Sequence, residues 1–97
     1  MKISDIRYGT RDIAITAKVV EMGDIREVKT KFGPTTVLNA VIEDETGQIK
    51  MTLWGDQIDK VRKGDVISVE GGYVREFNGE LFLNIGRNGK IETKEQV

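Results

Sequence analysis

Hydrophobic and polar residues alternate in several short segments of the chain, and turn residues separate these segments. Alternation with a period of two is typical of β-strands that are buried on one face. The pattern predicts five strands, at residues 14–22, 37–43, 48–54, 66–74 and 80–85. Turn sequences at residues 44–47 and 78–79 predict two hairpins. We also expect a turn at residues 86–89 and a frayed polar tail at residues 92–97.

A short helix is predicted between the third and fourth strands. Asp56 is a candidate N-cap, Ile58 and Val61 are three residues apart on one helix face, and Gly64 suits a left-handed position after the helix. Five strands with a helix in this place is the element order of the OB-fold. We therefore predict an all-β fold, a five-stranded Greek-key OB-fold barrel. It would form one domain over residues 1–97, with its core over residues 3–91.

Composition limits the function classes. The 97 residues are 38% hydrophobic and 32% charged, which is typical of one soluble globular domain. We expect no membrane segment and no signal peptide, and an intracellular, cytoplasmic location. The chain has neither cysteine nor histidine, so disulfides, the usual zinc ligands and the commonest acid–base group are excluded. Since no phosphate loop is present either, we expect no cofactor, no small-molecule substrate and no enzymatic activity.

Two predicted strands carry aromatic residues on their polar side. The third strand is apolar at odd positions 49–53, whereas Lys50, Thr52 and Trp54 share the opposite parity. An exposed indole beside a cation is what stacking on a base and contact with a phosphate require. The alternative is that Trp54 packs against the helix as a peripheral core residue. Phe82 has the outward parity in the fifth strand, where it would be open or be covered by a loop or a partner.

The connection between the fourth and fifth strands has an aromatic–cation–aromatic spacing, formed by Tyr73, Arg75 and Phe77. This spacing suits a chain of stacked bases with phosphates between them. A regular strand would direct Tyr73 into the core. However, Gly71-Gly72 favours a bulge that would turn the next side chain outward.

The connection between the first and second strands supplies further cations, since it contains Arg26, Lys29 and Lys31. In an OB-fold this loop flanks the ligand face, so we expect phosphate contacts from it. The net charge is nevertheless only −1, and nucleic-acid binders are normally basic. Binding should therefore depend on stacking, or the charges should be unevenly placed. The acidic residues 43–45 are predicted at a hairpin tip, away from the groove.

Several short motifs carry a family resemblance, which covers about residues 3–91. They are Asp44-Glu45-Thr46-Gly47, Leu53-Trp54-Gly55, Lys63-Gly64-Asp65 and Phe77-Asn78-Gly79. The chain resembles the archaeal single-stranded DNA-binding proteins of the replication protein A type and their short single-OB human relatives. The resemblance implies that Trp54, Tyr73 and Phe77 stack on bases. The family loop pattern T-K-x-G matches residues 30–33 and implies a backbone contact from Lys31.

We expect sequence-tolerant binding of single-stranded DNA in replication, recombination or repair, with replication or repair proteins as further partners. The predicted binding residues are Trp54, Tyr73, Phe77, Lys31, Lys50, Arg75, Arg26, Lys29, Phe82 and Thr52. One alternative is an OB-fold subunit whose aromatic face binds a protein. Another is a single-stranded RNA binder, because the same stacking face serves both polymers.

Overall fold

The first predicted strand alternates as its sequence requires. In β1 (Ile13–Met22), every second side chain from Ile13 to Val19 is buried, and those between them face solvent. The computed structural model describes residues 1–94. Its core contains these β1 residues with inward side chains from the other long strands, among them Met51, Leu53 and Leu83. Apolar burial of this kind stabilises a sheet that is closed on itself.

The remaining strands complete a closed ring. They are β2 (Arg26–Thr30), β3 (Gly33–Asp44), β4 (Gly47–Trp54), β5 (Val66–Phe77) and β6 (Glu80–Lys94). The order of hydrogen-bonded neighbours is β1–β5–β6–β4–β3, and β1 also pairs with β3, which closes the ring. The pair β4–β6 is parallel, and the other pairs are antiparallel. This closure confirms the predicted five-stranded barrel.

The structure adds a strand that the sequence pattern did not predict. β2 pairs only with β3 and lies outside the ring. Only one of its residues, Val28, is partly buried, so the segment lacks the alternation that marks a barrel strand. β3 accordingly begins at Gly33 rather than at residue 37.

The predicted turn at residues 86–89 is wrong, because this segment belongs to β6. The register shifts there: Gly72 pairs with Ile85 and Glu70 pairs with Lys90, so four β6 residues lie opposite Gly71 alone. The predicted frayed tail is also wrong over residues 92–94, which pair with the start of β5. Residues 95–97 lie outside the described part of the chain.

The register shift makes a bulge, in which Gly71 of β5 lies opposite residues 86–89 of β6. Close backbone packing at this bulge requires glycine. A Cβ on Gly71 would lie 2.7 Å from the Cα of Gly89, and one on Gly86 would lie 2.8 Å from the Gly71 carbonyl oxygen. Gly71 also has a φ of +67°, which L-residues rarely adopt. The bulge changes the parity of β5, so that Val69 points inward before it and Gly72 and Val74 point inward after it.

The connection between β4 and β5 is a 3-10 helix, Gly55–Lys60, which is shorter than the predicted helix. Asp56 lies inside it rather than at its N-cap, and the Trp54 amide instead donates to the Gln57 side chain at 3.0 Å. Gly64 has the predicted positive φ, +95°. Neither helical segment within residues 1–94 is long and apolar enough to cross a bilayer.

The β3–β4 turn also holds the N-terminal segment. Asp44 accepts hydrogen bonds from the amides of Ile3 (2.8 Å) and Thr46 (2.7 Å), and the Thr46 hydroxyl accepts one from the Ser4 amide (3.0 Å). These bonds fix the short 3-10 turn Ile3–Asp5, which places Ile3 in the core. Partial burial raises the pKa of Asp44, but hydrogen bonds led by that of Thr46 outweigh it and hold the pKa below its ordinary value.

The first prediction concerns the bulge. Gly71→Ala should lower the free energy of unfolding more than Gly79→Ala does. Both positions have a positive φ, but an added Cβ would overlap backbone atoms only at Gly71. We expect about 1–2 kcal/mol for the φ penalty alone and about 1–3 kcal/mol more for the overlap. Urea unfolding measures both variants. Equal losses would show that the bulge backbone is not tightly packed.

The second prediction concerns Asp44. Its folded-state pKa is lowered, so the stabilisation is present above the ordinary pKa of 3.8 and is lost as the pH falls through the lower, folded value. Asp44→Asn should cost about 1 kcal/mol at pH 7, and its difference from wild type should vanish in strong acid. Asp24→Asn, in an exposed loop, is the control for charge alone. A pH-independent difference would contradict this interpretation.

Candidate nucleic-acid interface

One outer face of the barrel collects most of the predicted binding residues. Directly paired residues point to the same side of a sheet, and the pairs Val37–Trp54, Lys50–Phe82, Arg75–Phe82 and Tyr73–Asn84 therefore define a common face. We call this the β3–β6 outer face, formed by the outward side chains of β3, β4, β5 and β6. The residues that it brings together are Trp54, Thr52, Lys50, Phe82, Tyr73, Arg75 and Phe77.

Trp54 lies at the end of β4 and is fixed in position by the neighbouring strand. Its side chain is outside the core cluster, and the residue is 38% exposed. The indole N–H donates to the Asn84 side-chain oxygen at 3.2 Å, and the Asn84 amide group donates to the Phe82 carbonyl at 3.3 Å. Trp54 is thus not a core residue, and its ring is not free to rotate. It is a half-open surface whose orientation is set by one hydrogen bond.

The β5 residues reach the same face because of the bulge. Tyr73 is half-buried and lies against the bulge, since a Cβ on Gly86 would be 3.7 Å from its ring. Phe77 is 67% exposed beside the turn of Asn78 and Gly79, both of which have positive φ as the predicted hairpin requires. Arg75 lies between the two rings on alternate positions and is exposed. Within residues 1–94 it has no ion pair.

Lys50 is placed on the face but is already engaged. Its ammonium lies 3.1 Å from the Glu80 carboxylate and 5.8 Å from the centre of the Phe82 ring. A phosphate at this point would have to displace Glu80. Phe82 is itself half-buried, so it offers less ring surface than Phe77.

The β2–β3 hairpin divides the loop cations between two sides. Arg26 pairs with Val37, which pairs with Trp54, so Arg26 belongs to the Trp54 side. Lys29 has the opposite parity in β2 and points to the other side, away from Trp54. Lys31 is at the hairpin tip, where its ammonium lies 5.2 Å from the ring centre of the exposed Phe32. The tip extends about 13 Å beyond Val37, because four strand residues at about 3.3 Å each separate the two.

Asn84 is the site residue that sequence reasoning missed. Its outward parity was visible, but its partner Trp54 is 30 positions away and is reached only through the parallel β4–β6 pair. On the same face, the Thr52 hydroxyl donates to the Asn39 side-chain oxygen at 3.0 Å. Within residues 1–94 no group of acidic residues is arranged to hold a metal ion.

One family of known proteins matches nearly the whole chain. The family described as "Single-stranded DNA binding protein Ssb-like, OB fold" matches residues 6–93. The chain belongs to this Ssb-like family. The expected resemblance is therefore confirmed, and with it the OB-fold.

Two of the curated relatives are archaeal proteins. The chain is 32% identical over 90 residues to the single-stranded DNA binding protein Ssb of Saccharolobus solfataricus, and this covers 93% of the chain and 61% of that protein. It is 36% identical over 97 residues to replication factor A of Methanothermobacter thermautotrophicus, covering 94% of the chain and 12% of that protein. It therefore spans less than two thirds of either relative.

A solved archaeal OB-fold domain shows the same architecture. The second OB-fold domain of replication protein A from Methanococcus maripaludis superimposes with a TM-score of 0.79 at 29% identity, covering 100% of this chain and 96% of that one. This likeness agrees with the OB-fold that the family match shows.

The third prediction tests the hydrogen bond at Trp54. In Asn84→Leu, the indole loses its acceptor, so its fluorescence should become more accessible to acrylamide and less polarised. The variant should also lose about 1 kcal/mol of stability.

Thr52→Val is the matched control, because it breaks the neighbouring hydrogen bond to Asn39 and keeps the indole's own acceptor, Asn84. If both variants leave the Trp54 emission unchanged, Asn84 does not orient the ring.

Proposed function

We propose that this protein binds single-stranded DNA without strong sequence preference, by stacking bases on Trp54, Tyr73 and Phe77. The observation that carries the proposal is that these three aromatic residues lie outside the core on one face of an OB-fold barrel. Each stacked base contributes about 1–3 kcal/mol, and every base has a π face. Membership of the Ssb-like family supports the same ligand.

Cations along this face would neutralise the backbone. Arg75 lies between Tyr73 and Phe77 on β5, and Arg26 lies on the Trp54 side of the hairpin with Val37 between them. Lys31 would contact the strand from the hairpin tip. Lys29 points away and Lys50 is paired with Glu80, so we assign them a smaller part.

The biological role that we propose is protection or handling of single strands in replication, recombination or repair. Its support is the similarity to archaeal Ssb and replication factor A. The proposed role is binding alone, with replication or repair proteins as further partners.

The fourth prediction is a titration with oligothymidylate. Trp54 is the only tryptophan in the chain, so stacking on it should quench the intrinsic fluorescence strongly. Duplex DNA of the same length should bind much more weakly, because its bases are already stacked. Trp54→Ala and Phe77→Ala, followed by anisotropy of a labelled oligonucleotide, should each lose about 1–3 kcal/mol of binding free energy.

Tyr8→Ala is the control, since Tyr8 is 77% exposed and belongs to the segment before β1, not to one of the four strands that form the β3–β6 outer face. Equal affinity for duplex and single strand would count against stacking. Absence of quenching at high micromolar DNA would favour a protein partner instead. Competition between matched DNA and RNA strands identifies the preferred polymer.

A further inference from the structure

A second feature adjoins the stacking face, at the end of the barrel where the bulge lies. An open cleft of about 430 Å³ lies there. It is lined by the bulge, by Tyr73 and by the two residues that precede β1. Arg11, in the segment before β1, and Arg87, among the four β6 residues opposite Gly71, both line the cleft and are exposed. The pair Ile13–Gly72 brings these two parts of the chain together.

The basic residues of this cleft outnumber its acidic residues. Neither Arg11 nor Arg87 forms an ion pair with any other residue in the described range 1–94. The acid among the lining residues is Asp12, so the lining has a net charge of +1. The nearby Glu70 is instead held by Lys90 at 3.7 Å. A concave surface with a positive balance concentrates anions, and arginine matches the geometry of phosphate oxygens.

The cleft is continuous with the proposed stacking site, because Tyr73 belongs to both. A base stacked on Tyr73 would leave its sugar-phosphate beside the bulge. The glycines make the approach open, since Gly71, Gly86 and Gly89 carry no side chain and Gly72 is buried. The backbone of a single strand that leaves Tyr73 could thus enter the cleft.

We propose that Arg11 and Arg87 form a phosphate subsite for the nucleic-acid backbone next to the base on Tyr73. This inference rests on the proposed function and extends it by one backbone contact outside the β3–β6 outer face. Its ligand is a phosphodiester of the bound single strand. The subsite would help a chain with a net charge of −1 to hold a polyanion.

The fifth prediction is a change in salt dependence. Oligothymidylate affinity is measured from about 20 to about 300 mM NaCl for wild type, Arg11→Gln, Arg87→Gln and the double variant. Each single change should weaken binding about three- to tenfold at low salt. The slope of log K against log salt should become shallower by about 0.7 for each phosphate that the variant no longer neutralises.

Two further variants sharpen the test. Lys18→Gln removes an exposed cation from β1 that pairs with Val66, at the end of β5 away from the cleft, and should leave the slope unchanged. Asp12→Asn removes the acid from the cleft and should tighten binding, and asparagine tolerates the positive φ of +54° at this position. Thermal unfolding verifies that every variant is folded.

The outcomes separate this inference from the proposed function. If both arginine variants behave like Lys18→Gln while Trp54→Ala still weakens binding, the phosphate subsite is overturned and stacking stands. If Trp54→Ala binds like wild type, or wild type binds no oligothymidylate, the proposed function fails and the subsite falls with it. A shallower slope in Arg11→Gln and Arg87→Gln, with an unchanged Lys18→Gln, supports the subsite.

Discussion

The bulge between β5 and β6, where Gly71 lies opposite residues 86–89, is the constraint on which the candidate site depends. Ahead of it, odd-numbered residues such as Val69 point into the core, and after it the odd-numbered Tyr73, Arg75 and Phe77 point outward. Without this change of parity, Tyr73 would be a core residue and the indole on β4 would face solvent with no aromatic neighbour on β5. Close contacts between glycine backbones make the bulge possible, because any Cβ at Gly71 would overlap backbone atoms.

Charge alone does not explain how such a chain would hold nucleic acid. Its 15 basic residues are balanced by 16 acidic ones, and Lys50, on the candidate face, is paired with Glu80. Affinity would then come mainly from ring surface, with a few unpaired arginines adding phosphate contacts. The shallow salt dependence expected for this arrangement distinguishes it from a binder that works through a broad basic surface.

Much of the barrel could be predicted from the sequence, because alternation and turn residues are local signals. The inward residues of β1 and β4 are found where the pattern puts them. β2 could not be predicted, since its five residues are nearly all exposed and pair only with β3. The site also depends on non-local contacts: the Asn84–Trp54 hydrogen bond and the Lys50–Glu80 ion pair both join residues 30 positions apart. The sequence could therefore name the aromatic residues and their common face, but not which cations are free.

The most direct measurement of the central claim is aromatic NMR during titration with a short oligothymidylate. Stacking should move the ring signals of Trp54, Tyr73 and Phe77 together through ring-current effects and leave Tyr8 unchanged. Signals that shift only at Tyr8, or only at loop amides, with these three rings unmoved, would contradict the account.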